Sequence, residues 1–477
     1  MSLAEDSPLH SSSSDDFAAI LDAELKSSSS EDSSQEEEEE DNDEFDDDSS
    51  DEDASEEEFP EEVRSKRHKV DELKDEVVSQ GPTLLQAMKE VLDTPGPSVN
   101  VKICPPHPGF IKRMCMRCGM LEDDDTGVAF GYIHKDLRLG TEEIARLRDA
   151  DVKNLLRHQK LYLVLDLDHT LLNSTHINVI SPQEQYLNEP HPLEGLFRLE
   201  KMHMLTKLRP FVHTFLREAS SMFEMYIYTM AERSYALEMA NLLDPEHVYF
   251  SSKVLSQDNC TKKFQKGLDV LLGNESNVVI LDDTENVWMK HRENLILMER
   301  YNYFSSSLRQ WGFSGNSLSE RRKDESETDG ALASVLNVLR RAHQMFFDPD
   351  LGIDIEKRDV RQMLNKIRSE ILSGCKIVFS RVFPTKFQPE NHQLWKLAEQ
   401  LGASCSTELD PSVTHVVGMD TGTQKAQWAV RKNKFLVHPR WIEAASYLWK
   451  RLPEDQFLVP PQTSEKHAED SKHATEE

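Results

Sequence analysis

The chain has 477 residues, room for two or three domains, and a formal net charge of −31 that is concentrated at one end: residues 1–62 hold 27 Asp and Glu against one Lys, about −26, leaving about −5 for the rest. No basic start followed by an apolar core marks a signal peptide, and no apolar run approaches the roughly 18–20 residues of a membrane helix. Six cysteines in so long a chain make no disulfide framework, and no basic nucleic-acid-binding surface is evident, so an intracellular protein without membrane or direct nucleic-acid contact is expected.

Residues 1–62 are mostly Ser, Asp and Glu with few apolar side chains, and the tail they begin is read as running to residue 80. They cannot offset the entropy of ordering and are expected to form a disordered acidic tail. A short island at 17–25 could fold on a partner, and serines beside acids suit phosphorylation by an acid-directed kinase. The basic run Arg64-Ser-Lys-Arg-His-Lys is compatible with nuclear import. A short helix is expected at 84–92, stopped by Thr94-Pro-Gly-Pro. Next, Cys104, His107, Cys115 and Cys118 follow a C-x2-H-x7-C-x2-C spacing. Thiolates and an imidazole at that spacing suit a tetrahedral Zn²⁺ site over 100–120, with isolated reduced thiols as the other reading. A strand is expected at 127–133 and a helix at 141–156, with Thr141 as N-cap and Glu142 and Glu143 at the positive end of its dipole.

Residues 130–310 read as one α/β domain. A buried strand at 161–165 leads into an irregular insertion at 173–207. Pro210 then opens a helix with Phe211, Val212, Phe215, Leu216 and Ala219 on one face. A strand at 225–228, a helix at 231–243, an apolar helix at 268–272 and a strand at 278–281 follow. Alternating strands and helices predict a parallel sheet covered on both faces, with ligands bound outside the carboxyl ends of the strands. Asp166 and Asp168, Thr229, and Asp282 and Asp283 all fall at such ends. Beyond them lie a polar loop or linker at 314–330, a helical connector at 331–371, a second α/β domain at 372–462 and a polar tail at 463–477.

These residue types suit phosphate-monoester hydrolysis. One carboxylate can attack phosphorus, and a second can serve as acid and then base. Carboxylates from two strands can hold a hard cation such as Mg²⁺, and a hydroxyl and an ammonium can bind phosphoryl oxygens. An Asp-x-Asp, an Asp-Asp or a Thr at a strand end means little alone; the combination, each after an apolar strand, carries the argument.

Asp166-Leu-Asp-His-Thr170 resembles the Asp-x-Asp-x-Thr signature of haloacid-dehalogenase-like phosphatases. With Leu171-Leu-Asn-Ser174, Lys207-Leu-Arg-Pro-Phe211, Tyr226-Ile-Tyr-Thr-Met-Ala231 and Val279-Ile-Leu-Asp-Asp-Thr-Glu-Asn-Val-Trp288, it is similar to the RNA polymerase II C-terminal-domain phosphatases of the TFIIF-associating type. The resemblance implies a haloacid-dehalogenase-like Rossmannoid sheet with an insertion. It implies Asp166 as nucleophile, Asp168 as general acid/base and Thr229 as phosphate binder. It also implies a metal held by Asp166, Asp168 through its backbone carbonyl, Asp282 and Asp283: Mg²⁺, with Mn²⁺ or Co²⁺ as substitutes. Lys262, Lys263 and Lys266 all lie near the expected phosphate-binding position; Lys266 is chosen because it stands sixteen residues before Asp282. The implied substrate is phosphoserine in the heptads of the polymerase's largest subunit, in the nucleus, with general transcription factors as further partners.

The second domain, with Gly402 ending its first helix and Trp441 in its last, resembles a BRCT domain. Trp441 is expected in its core. Its phosphopeptide-ligand candidates are Ser380 and Lys425, although Arg381 stands where the pattern has Gly. The competing reading is a transcription-complex scaffold with a vestigial catalytic site.

Overall fold

The computed structural model describes residues 104 and 106–460, apart from 122–126, 190–192, 311, 313–314 and 385. The acidic tail, the basic run, the helix expected at 84–92 and the final polar tail lie outside the described residues.

A small antiparallel sheet comes first. β1 (Gly109–Ile111), β2 (Met114–Cys115), β3 (Val128–Ala129) and β4 (Leu137–Leu139) lie in the order β2-β1-β4-β3. The strand expected at 127–133 is only two residues long. Ile133 and His134 both donate to the Phe130 carbonyl, closing a turn that buries Phe130 and Tyr132. α1 (Thr141–Arg157) follows, and Gly140, not Thr141, caps it without a side-chain bond.

β5 (Leu161–Leu165) enters the central sheet. The insertion expected to be irregular is a three-stranded antiparallel sheet: β6 (Leu172–His176), β7 (Leu196–Leu199) and β8 (Met204–Leu208), in the order β6-β8-β7. Its polar residues pair along the ladder, so periodicity alone hid it. α2 (Val212–Ser220) begins two residues after Pro210 because Phe211 takes a left-handed φ of 72°; its apolar face, Val212, Phe215, Leu216 and Ala219, is buried as expected. β9 (Phe223–Tyr228), α3 (Arg233–Leu243), β10 (Val254–Leu255), β11 (Val278–Asp282) and β12 (Leu295–Leu297) complete a five-stranded parallel sheet in the order β10-β9-β5-β11-β12. The helix expected at 268–272 is a single 3₁₀ turn. The carbonyls of Leu268, Asp269 and Leu271 accept from the Arg148 guanidinium of α1, so they close no longer helix.

After α4 (Ser305–Gln310), the polar stretch read as a loop or linker is tied down. Lys207 pairs with Asp324 at 2.8 Å, and Arg209 forms a two-pronged pair with Glu325. Arg209 is fully buried and also donates to the carbonyls of Thr170 and Glu299. One guanidinium thus joins the loop after β5, the chain after β12 and the polar stretch. α5 (Ala331–Phe346) and α6 (Val360–Glu370) pack into the same apolar core as the central sheet and α2.

The second domain is a four-stranded parallel sheet: β13 (Lys376–Ser380), β14 (Ser404–Ser406), β15 (His415–Gly418) and β16 (Phe435–Val437), in the order β14-β13-β15-β16. α7 (Gln393–Gln400) and α9 (Arg440–Leu448) cover the face bearing Ile377 and Phe379; α8 (Gln424–Arg431) covers the face bearing Val378. Both faces are buried, which explains strands without alternation. Trp441 is fully buried, stacks on His415 and donates its indole N–H to the Leu452 carbonyl at 2.9 Å. Gly402 has φ +91°, and a Cβ there would stand 1.7 Å from the Ser369 carbonyl oxygen.

Arg209→Ala strands the Glu325 carboxylate and two loop carbonyls. It is expected to lower stability by on the order of 3 kcal/mol, the low end for a broken buried ion pair because Glu325 keeps some solvent; denaturant unfolding followed by tryptophan fluorescence measures it.

Candidate active site

β9, β5 and β11 are neighbours, so their carboxyl ends lie side by side. Asp166 directly follows β5 and donates its N–H to the Leu281 carbonyl; Asp282 is the last residue of β11. Between them stands the Lys266 ammonium, 2.6 Å from Asp166 Oδ1 and 2.6 Å from Asp282 Oδ2. All three side chains are buried. The rings of Tyr228 and Trp288 flank the ammonium at 5.8 and 5.6 Å, adding cation–π attraction. Asp282 is further held by the Trp288 indole N–H and the Thr284 N–H, each at 2.8 Å.

The charges do not balance. Burial, then Asp282 and Asp283, push the Asp166 carboxyl well above the usual carboxylate range, although Lys266 pulls the other way. Burial also raises Asp282, with Lys266 opposing it. Burial pushes Lys266 toward its neutral form, but Asp166 and Asp282 outweigh this and keep it charged. Carboxylate oxygens of Asp166, Asp282 and Asp283 lie within 4.8 Å of one another. Crowded, partly buried oxygens carrying excess negative charge fit a hard divalent cation. Asp283 is steadied by Arg300 at 2.6 Å. The Asp168 carboxylate is outside this group.

The 166–172 turn is tight. The Leu167 carbonyl accepts from Thr170, Leu171 and Leu172, and His169 has φ 61°. Asp168 Oδ1 accepts from the Tyr235 hydroxyl of α3 at 2.6 Å. Tyr235 lies 2.7 Å from Ser174 Oγ, which lies 2.8 Å from Thr206 Oγ1. Burial raises the Asp168 carboxyl above its ordinary value, against the lowering pull of Tyr235. Thr229, just past β9, is buried; its Oγ1 accepts from the Ala231 N–H at 3.1 Å and keeps its own proton to donate.

Asp166, Lys266, Asp282 and Asp283 are therefore brought together, with Asp168 and Thr229 on the flanking turns. Lys262 and Lys263 are exposed, and Lys263 lies over the Phe264 ring; only Lys266 of the three reaches the aspartates. Sequence reasoning missed Tyr235 and Arg300, because nothing local links them to carboxylates 67 and 17 residues away. Trp288 stood inside a quoted motif, yet its bond to Asp282 was not foreseen. In the second domain, the Ser380 hydroxyl is buried 2.6 Å from Thr423 Oγ1. Lys425 donates to the carbonyls of Phe379 and Thr407, and Arg381 pairs with Asp420 at 3.5 Å. The four Cys/His residues gather at the first sheet.

Parallel sheet, paired aspartates, buried lysine and appended four-stranded domain define a haloacid-dehalogenase-like phosphatase carrying a BRCT domain. The NLI interacting factor-like phosphatase family matches residues 161–311, and the BRCA1 C Terminus (BRCT) domain matches residues 368–445. The chain is 54% identical over 469 residues, 96% of its own length and 97% of the relative's, to RNA polymerase II C-terminal domain phosphatase-like 4 of Arabidopsis thaliana. It also resembles the solved structure of Fcp1, described as an essential RNA polymerase II CTD phosphatase (TM-score 0.52, 25% identity, 66% of this chain and all of that one). A fission yeast Fcp1 variant bound to beryllium fluoride matches with TM-score 0.53 at the same identity and coverage. The chain belongs to the RNA polymerase II C-terminal domain phosphatase-like family. That family implies a divalent metal, and the aspartate trio fits one. No helix among the described residues is long and apolar enough to cross a membrane.

Lys266→Met leaves Asp166 and Asp282 facing each other without a cation. In chelator at neutral pH the variant is expected to lose about 3 kcal/mol or more of stability. The loss should shrink as pH falls, because carboxyls already held above their usual range take up protons and end the repulsion. Thermal melts across pH, with and without added divalent cation, test this.

Proposed function

We propose that this chain is a Mg²⁺-dependent phosphatase that removes phosphate from phosphoserine in the heptad repeats of the RNA polymerase II C-terminal domain, acting in the nucleus through an aspartyl-phosphate. One observation carries the reading. Two aspartates one residue apart, a threonine, a lysine and an aspartate pair meet at the ends of three adjacent parallel strands, in a chain 54% identical to a C-terminal domain phosphatase-like protein.

Lys266 holds Asp166 Oδ1, which leaves the other oxygen to attack phosphorus. A P–O bond to Asp166 forms as the P–O bond to serine breaks. The Asp168 carboxyl, whose affinity for a proton is raised by burial, gives its proton to the departing serine oxygen. Asp168, now a carboxylate, takes a proton from water, whose oxygen attacks phosphorus and releases Asp166. The Thr229 hydroxyl and the Lys266 ammonium donate to phosphoryl oxygens in both steps. Asp166, Asp282, Asp283 and the Asp168 carbonyl would hold Mg²⁺, which when bound neutralises phosphoryl charge and keeps Asp166 ionised. Mn²⁺ or Co²⁺ would occupy the same oxygens. The BRCT domain would dock partner proteins, and general transcription factors are candidates. Lys425 spends two of its donors on backbone carbonyls, so a phosphopeptide there would have to displace them.

Phosphate release from a phosphorylated heptad peptide should require Mg²⁺ and vanish in Asp166→Ala. Asp168→Asn should slow it by roughly 10²–10⁴-fold. Equal release by native protein and Asp166→Ala would sink the mechanism; no release by folded native protein on several heptad phosphoisomers would favour the scaffold reading. A second test concerns pH. The acid must be protonated, so kcat/KM falls as pH rises through the Asp168 pKa. Tyr235→Phe removes a bond that lowers that pKa, and the alkaline limb of the profile should move to higher pH.

A further inference from the structure

Three cysteines and a histidine that the phosphatase chemistry leaves unused converge on one point. Ligand atoms of Cys104, His107, Cys115 and Cys118 all lie within 4.8 Å of one another. His107 Nδ1 is 3.2 Å from Cys115 Sγ and 3.6 Å from Cys118 Sγ. A tetrahedron with Zn–S of ~2.3 Å and Zn–N of ~2.0 Å has edges of about 3.5–3.8 Å, close to these separations. All three cysteines are free thiols.

We propose that these four residues hold one structural Zn²⁺. The backbone is shaped for it. Lys112 and Arg113, with φ of 49° and 66°, make the tight turn between β1 and β2. Past Cys115 the chain curls so that the Gly119 N–H bonds the Cys115 carbonyl at 3.0 Å, with Gly119 at φ +72°. The Arg117 N–H points at Cys115 Sγ from 3.4 Å, the kind of outer bond that steadies a metal-bound thiolate. Three thiolates around Zn²⁺ leave one negative charge, and Lys112, Arg113 and Arg117 sit on this same knuckle to offset it. With four protein ligands no position is left for water or substrate, which makes the site structural rather than catalytic.

The fold explains why a staple belongs here. The sheet's strands are two or three residues long, too short to be stable on pairing alone. Yet this sheet braces the active site. The Pro108 carbonyl, one residue from His107, accepts the N–H of Gly140, the cap of α1. Arg148 of α1 holds the carbonyls of Leu268, Asp269 and Leu271, just past Lys266. Tyr132 packs edge-on against Tyr226 of β9. The metal would fix the far end of that brace.

The test uses the full chain purified from zinc-supplemented cells without chelator. Elemental analysis should find about one zinc per chain, well below that in Cys104→Ser/Cys118→Ser and unchanged in Cys405→Ser. The native protein reconstituted with Co²⁺ should show thiolate-to-cobalt charge-transfer absorption and the intense visible bands of a tetrahedral site. Mild zinc chelation should lower the native melting temperature and leave the double variant unmoved. Native protein without zinc, equal zinc in native and double variant, a Co²⁺ form without thiolate bands, or a disulfide among the three cysteines would each overturn the proposal. If the double variant fails to fold, the native zinc content and cobalt spectrum still decide. None of these readouts depends on phosphatase activity or on Mg²⁺.

Discussion

The Lys266 ammonium between Asp166 and Asp282 is the contact around which the molecule is organised. Two carboxylates cannot be buried together without a cation, and a lysine cannot be buried without anions. The parallel order β9-β5-β11 brings the aspartates to one edge, and the short 3₁₀ segment after Lys266 delivers the ammonium to meet them. Asp282, at 1% side-chain exposure, accepts from Lys266 and Trp288 on Oδ2 and from the Thr284 N–H on Oδ1. Asp166, at 8%, keeps one oxygen free of Lys266. One aspartate is therefore held more fully than the other, although the same ammonium touches both.

The same economy extends outward. Arg209 binds the back of the Asp166 turn to Glu325, so a stretch whose composition suggests a linker is anchored to the turn that carries the first two aspartates. α5 and α6 continue the catalytic core and also receive the BRCT domain. Trp449, just past α9, is buried in the catalytic core; Arg368 of α6 stacks on it and donates to the Leu295 carbonyl of β12. On the other side, the Leu372 N–H bonds the Leu401 carbonyl, and Gly402 meets the last turn of α6 closely. The BRCT domain is thus set on the phosphatase rather than hung from it.

Much of this was legible in the sequence because buried parallel strands are apolar runs, and polar residues immediately after such runs stand out. Asp166, Asp168, Thr229, Asp282 and Asp283 were found in that way. The choice of Lys266 over Lys262 and Lys263 rested on its place sixteen residues before Asp282, and its burial then separated it from its exposed neighbours. What stayed hidden has one cause: partners fixed by tertiary structure leave no local trace. Tyr235 reads as another helix residue, Arg300 as a surface charge, and the β6-β8-β7 sheet as an irregular insertion because polar residues such as Asn173, Ser174 and Thr206 interrupt its buried leucines. Likewise the apolar run at 268–272 promised a helix, but its carbonyls were claimed by Arg148.

Thr206, Ser174 and Tyr235 stand in file behind Asp168. Tyr235 donates to the carboxylate, so Ser174 donates to Tyr235, while the single Thr206 proton is shared between Ser174 and the Met239 sulfur. The far end of the file is the Met239 sulfur at 3.8 Å, a thioether with no proton to give. The row therefore cannot work as a wire. It acts as an electric bias, the Ser174 and Tyr235 dipoles aligned toward the carboxylate and polarising one another. In the proposed mechanism the Asp168 proton is therefore exchanged with the serine oxygen and the incoming water and not with this row.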